Sequence, residues 1–190
     1  MGFCLVNNVA VGAAQLAAAG QRVAIVDWDV HHGNGTQDIF YDDPNVLYVS
    51  THEYPLYPGS GRADETGGPA APMSNLNLPF PAGTRGDVYR RAVDEVIAPV
   101  VERFAPDWLF ISAGFDAHRN DPLAGLECPR GGFLVTLHVG GELPAHAVRA
   151  DPDGPGGLDL PAVDEDGLRG PRPDVEDDAV GVLGQHRAAG

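Results

Sequence analysis

Residues 22–28 centre on a short continuous apolar run, Val23-Ala24-Ile25-Val26, which leads straight into Asp27-Trp28-Asp29-Val30-His31-His32-Gly33-Asn34-Gly35. A run that short, with no polar alternation, is the pattern of a strand covered on both faces, and it asks for helices on either side of a mainly parallel sheet. Residues 108–113 repeat the pattern, and residues 46–50 read as a further strand. Residues 74–78 alternate and predict a short fourth strand. Between these lie helical patterns. Residues 7–19 are Ala-rich, follow capping-type asparagines and end at Gly20, residues 36–41 predict a short helix, and residues 87–104 carry apolar positions at helical spacing with a kink or a division expected at Pro99. Strands alternating with helices predict a three-layer α/β domain with a mostly parallel central sheet. The stretch from His52 to Pro72 is a Gly- and Pro-rich loop, which its tyrosines Tyr54 and Tyr57, with Tyr48 nearby, mark as ordered and functional.

Composition removes several classes of function. The 190 residues carry a formal charge of −15, which opposes non-specific binding to nucleic acid or an anionic membrane. All twelve basic residues are Arg, so chemistry that needs a Lys nucleophile is excluded. Two cysteines, Cys4 and Cys128, make neither a disulfide framework nor a Cys-rich metal site. No leader pattern opens the chain and no apolar run reaches the roughly 18 residues of a membrane span, so a cytoplasmic protein is expected. The first residues lead almost directly into helical sequence, as if the chain began inside a domain. From residue 134 onward the sequence has no aromatic residue and no Ile, 16 of 57 residues are Gly or Pro, and eleven acidic residues face four Arg. Residues 134–190 are therefore expected to form an acidic tail that is unpacked or read in a shifted frame, with the α/β domain ending near residue 133.

The strand tips carry the chemistry. Alternation in an extended segment turns Asp27, Asp29 and His31 one way and Trp28 and Val30 the other. Two neighbouring carboxylates without a cation would cost several kcal/mol or force one to take a proton. A bound cation resolves that conflict. A second acid, Asp116, follows the 108–113 strand in Ser112-Ala113-Gly114-Phe115-Asp116-Ala117-His118. In open parallel sheets ligands gather beyond the carboxyl ends of strands, so both tips can face one cleft. Asp29, His31 and Asp116 would then give one nitrogen and two oxygen ligands with a coordination position open, the arrangement of a catalytic zinc site. A single Asp at a strand end is more often a turn cap; the two motifs together favour ligation. Cys4 is expected to be a buried structural thiol, and His52 and His118 solvated groups near the cleft rim.

Three segments, Gly2-Phe3-Cys4-Leu5-Val6-Asn7-Asn8, Val26 to Gln37 and Ser112 to Ala117, resemble histone deacetylases of the class II type. Ser50-Thr51-His52-Glu53-Tyr54-Pro55-Leu56-Tyr57-Pro58-Gly59-Ser60-Gly61 is closer to their bacterial relatives, acetylpolyamine amidohydrolases and acetoin-utilisation-type proteins. The resemblance runs from Gly2 to about Phe133. It implies the arginase/deacetylase-like fold and a zinc-dependent amidohydrolase acting on an acyl-lysine or an acylated amine. It also implies zinc on Asp29, His31 and Asp116, and potassium near Asp27, Asp29, His31, Ser50 and Thr51. Phe3 and Tyr57 match the walls of an acyl channel, Gly2 a carbonyl that holds the substrate amide, and Asp27 and Asn34 the groups that orient two catalytic histidines.

Two departures bear on activity. The family's His-His pair lies upstream of the Gly-Phe-Cys segment, and His31-His32 cannot replace it because His31 is needed on the metal. The family's Gly-Gly-Tyr segment is matched by Gly140-Gly141-Glu142, and no Tyr follows Tyr89. The expectation is an impaired enzyme; the alternative is a non-catalytic metal-binding fragment. An arginase-like binuclear manganese hydrolase ranks below both, because it needs more carboxylates.

Overall fold

A computed structural model describes residues 5–128, together with the backbone of two strands, Ala145–Ala150 and Val180–Gln185. Helix α1 (Asn8–Ala18) begins where the Asn7 side chain accepts a hydrogen bond from the Ala10 N–H at 2.9 Å. It ends at Gly20, whose φ of +79° lets the chain turn back while Gly20 and Gln21 donate to the carbonyls of Ala17 and Leu16. Strand β1 (Val23–Asp27) follows and is buried throughout. Then come α2 (Asn34–Phe40), β2 (Val46–Glu53) and β3 (Asn75–Phe80). A helical stretch from Gly86 to Phe104 leads to β4 (Trp108–Ser112), and the two later strands are β5 (Ala145–Ala150) and β6 (Val180–Gln185).

The apolar runs are continuous because each face of the sheet is covered. Val23 and Ile25 of β1, Val46 and Tyr48 of β2 and Phe110 of β4 pack against Val9, Ala10, Ala13 and Ala17 of α1 and Phe40 of α2. Ala24, Val26, Leu47, Val49, Leu109 and Ile111 face the opposite way, onto Val93, Ile97 and Val101. This is a three-layer α/β domain, as the sequence predicts. The sheet order is β3-β2-β1-β4-β6-β5, with β3, β2, β1 and β4 parallel and β6 and β5 antiparallel. After β1 the chain builds outward through β2 and β3, then returns to place β4 on the other side of β1. The strand order therefore reverses between β1 and β4, the place beyond whose carboxyl ends ligands gather in sheets of this kind.

Local details depart from or refine the sequence expectation. The strand expected over 46–50 continues to Glu53, and Ser50, Thr51 and His52 are all buried within it. His52 is thus no rim residue; it is fully buried. The helical stretch over 87–104, expected to be kinked or divided at Pro99, is divided into three segments: α3 (Gly86–Ala92), a π turn (Val93–Ile97) and α4 (Ala98–Phe104). Pro99 has no N–H to give to the carbonyl four residues back, and the chain takes wider turns just before it, with Ala98 donating to Val93. The strand expected over 74–78 runs from Asn75 to Phe80.

Within residues 134–190, the backbones of β5 and β6 pair antiparallel. The expected boundary at residue 133 lies outside the described residues. No helix among the described residues is long and apolar enough to cross a membrane.

Candidate metal centre

Strand β1 ends at Asp27 and β4 at Ser112, side by side in register. The segments beyond them cross-link at once. Trp28 N–H donates to the Ser112 carbonyl at 3.1 Å, and Val30 N–H donates to Asp116 Oδ1 at 2.9 Å. The Asp29 carboxylate accepts the His31 N–H at 2.7 Å. These bonds fix both acids against the His31 ring, whose Nδ1 lies 3.2 Å from Asp29 Oδ1 and 2.9 Å from Asp116 Oδ2. Ligand atoms from Asp29, His31 and Asp116 all fall within 4.8 Å of one another, and this is the one such group of three among the described residues. The side chains remain 23–38% exposed, so the cluster opens to solvent on one side.

Electrostatics make this a site that wants a cation. Burial, and then the Asp116 charge, raise Asp29 above the usual carboxylate range. Burial, and then Asp29, push Asp27 up to about 7 despite hydrogen bonds from the Asp29 N–H at 3.2 Å and the Tyr48 hydroxyl at 3.0 Å. One nitrogen and two carboxylate oxygens with an open side fit a divalent ion such as zinc. Gly114 is part of the fit, because a Cβ there would overlap the Asp29 carboxylate and come within 2.8 Å of Asp116 Oδ1.

Residues 1–144 match the histone deacetylase domain. The chain belongs to the histone deacetylase family. It is 50% identical over 137 residues to "Histone deacetylase 10, chloroplastic" of Oryza sativa subsp. japonica, covering 71% of this chain and 31% of that protein. It is 46% identical over 137 residues to a "Probable deacetylase" of Archaeoglobus fulgidus, covering 72% of this chain and 38% of the relative. Among solved structures, the HDA15 HD domain superposes with a TM-score of 0.67 at 47% identity, over 70% of this chain and 40% of that one. Acetylpolyamine aminohydrolase from Burkholderia pseudomallei gives 0.65 at 43% identity, over 70% and 39%. The chain thus spans about a third of the length of these curated relatives. Its sheet and helices form part of the deacetylase fold.

The other residues that the deacetylase resemblance singled out fall into three groups. Asp27 is buried at the β1 tip, outside the three-ligand cluster; Ser50 lies opposite it in register, and the Thr51 hydroxyl is 3.4 Å from its carbonyl. Asn34 opens α2, and its Oδ1 is buried with no hydrogen-bond partner among the described residues. Tyr57 is 60% exposed, with its ring centroid 6.5 Å from that of His31, edge to face. Gly2, Phe3 and Cys4 lie outside the described residues. His118 is half-buried, and its Nδ1 accepts the Asn120 N–H at 3.2 Å, a turn cap. Burial pushes the Cys128 thiol up to about 11, as befits an inert core cysteine.

Sequence reasoning missed the parts that Tyr48 and His32 play. Tyr48 is a core residue of β2 whose hydroxyl serves Asp27, and His32 is buried between Ser60 and Gln37. The alternation Tyr48, Ser50, His52 was the available signal for one inward face.

Proposed function

We propose that this chain is the metal-binding portion of a zinc-dependent amidohydrolase that removes acyl groups, above all acetyl, from acyl-lysine or acetylpolyamine amides. One observation carries the proposal: Asp29, His31 and Asp116, from two strand tips at the sheet's switch point, meet within 4.8 Å. Zinc, when bound, supplies Lewis acidity that polarises an amide carbonyl and acidifies water. The overall reaction consumes one water and yields a carboxylate and a free amine. The protein's own part is placement. Val30 N–H and His31 N–H hold the two carboxylates by one oxygen each. Asp27 and Asn34 are assigned the orientation of imidazole partners, a role supported by the unpaired buried Oδ1 of Asn34. Asp27, Asp29, His31, Ser50 and Thr51 are assigned a structural potassium ion, supported by the raised Asp27 carboxyl at the junction of β1 and β2. Tyr57, with Phe3, walls the acyl chain, where an aromatic surface shields alkyl groups from water, and the Gly2 carbonyl holds the amide. The cytoplasm is the proposed compartment.

The same proposal sets a limit on turnover. His31-His32 is the only adjacent histidine pair in the 190 residues, and both rings are engaged, His31 with the ligand carboxylates and His32 with Ser60 and Gln37. The last tyrosine, Tyr89, is buried against Phe80. Without the family's His pair and the tyrosine of its Gly-Gly-Tyr segment, turnover is expected to fall about 10^4-fold or more below a complete site. The purified 190-residue chain should bind one zinc, lose it in Asp116→Ala, and hydrolyse a fluorogenic acetyl-lysine or acetylpolyamine only feebly. Failure to bind zinc at micromolar concentration would sink the proposal. Binding with no hydrolysis at all would leave the metal-binding, non-catalytic alternative.

A further inference from the structure

The metal cluster and channel do not account for the two imidazoles buried beneath them. His32, just past the ligand His31, and His52, near the end of β2, lie with ring centroids 4.8 Å apart. His52 Nε2 is 2.9 Å from the Gly61 carbonyl, which can only accept, so Nε2 carries a hydrogen. Burial holds the ring neutral, with its pKa lowered to about 4, so Nδ1 is bare and accepts the Ser50 hydroxyl at 2.9 Å. A parallel chain of constraints fixes His32. Gln37 Nε2 donates to the Glu65 carboxylate at 2.6 Å, which leaves Gln37 Oε1 as an acceptor for Asn75 at 3.0 Å, Asn77 at 2.8 Å and His32 Nε2 at 3.0 Å. His32 Nδ1 is then the acceptor for the Ser60 hydroxyl, at 2.8 Å.

Both rings therefore close on one turn. Gly61, at φ +89°, lies flat against them, and a Cβ there would come 2.5 Å from His52 Nε2 and 2.6 Å from His32 Cγ. At its other end the loop is tied by Tyr54 N–H to the Phe80 carbonyl at 2.8 Å, and Gly59 N–H closes onto the Leu56 carbonyl at 2.7 Å. The short arch between these anchors carries Tyr57.

We propose that His32 and His52 are positioning residues: two buried imidazoles, both protonated on Nε2, that clamp the Ser60–Gly61 turn to the sheet and so hold Tyr57 beside His31. The channel role of Tyr57 rests on the function proposed above; the clamp does not.

Long-range 1H–15N spectra of the full chain labelled at histidine should show His32 and His52 with a protonated Nε2 and a bare Nδ1. The opposite tautomer at either ring would overturn the clamp. Trypsin gives a second readout, because the chain has no Lys and Arg62 is the only Arg between Arg22 and Arg85. His52→Leu, which keeps bulk but not the hydrogen bonds, should raise cleavage after Arg62 about tenfold or more. His52→Gln, which can still donate to Gly61, should stay near the wild-type rate. Equal rates for Leu and wild type, or for Leu and Gln, would refute the clamp. Binding of hexanohydroxamate to the zinc-loaded chain tests the channel separately. Equal affinity in wild type and Tyr57→Ala would remove the channel role while the tautomer and cleavage results still judge the clamp.

Discussion

At Gly114 the protein leaves no room for a side chain, because the Asp29 carboxylate occupies the space a Cβ would need. Gly114→Ala must push that acid out of line with Asp116, and zinc affinity should fall at least about tenfold. Competition against a chromogenic chelator measures this, and an unchanged affinity would show that the cluster tolerates displacement. Asp27 offers a test by pH. Its carboxyl is raised in the folded state from 3.8 to about 7, so its contribution to stability is fully present below pH 3.8 and is lost as pH rises through about 7. Asp27→Asn removes that loss. In metal-free protein the variant's unfolding free energy should gain on that of wild type between about pH 4 and pH 7, by an amount on the order of a few kcal/mol, and added cation should narrow the gap. A gap independent of pH would contradict the raised carboxyl. The three clustered residues, Asp29, His31 and Asp116, were singled out in the sequence because two acid-bearing motifs, each at the end of an apolar strand, can face one cleft. His32 and His52 were not legible, since their partners Ser60 and Gly61 come from a loop with no periodicity.

At the scale of elements, β1 and β4 were readable because burial on both faces leaves only apolar side chains. The second half of β2 was hidden by the opposite circumstance. Ser50, Thr51 and His52 are buried polar residues whose hydrogen bonds, not their hydropathy, keep them in the strand. The helical stretch before β4 shows a similar split between what sequence names and what packing decides. Pro99 announced an irregularity, but the π turn before it also shifts which residues face the sheet. Ile97 is buried there while Glu95 points outward to pair with Arg91. Ile97→Ala should cost about 2–5 kcal/mol in denaturant unfolding, and Glu95→Ala under about 0.5 kcal/mol. Comparable losses at both positions would mean that the turn is wound differently.

Over the whole molecule, a charge of −15 is spread over 190 residues with twelve Arg to offset it. Part of that excess meets at the β1 and β4 tips, so a divalent ion relieves repulsion as well as filling a site. An ion that binds only the folded chain, at about a hundredfold over its Kd, should raise Tm by roughly 5–10 °C, and EDTA should reverse the shift. No shift with zinc would indicate that the cluster does not hold it. The division of the ligand set across the switch point has one more implication. His31 and Asp116 are 85 positions apart and are neighbours only where β4 lies beside β1. No peptide cut from either tip holds the pocket, and the ion can arrive only once that seam has closed. Retention of metal during gradual unfolding would therefore report the parting of two adjacent strands.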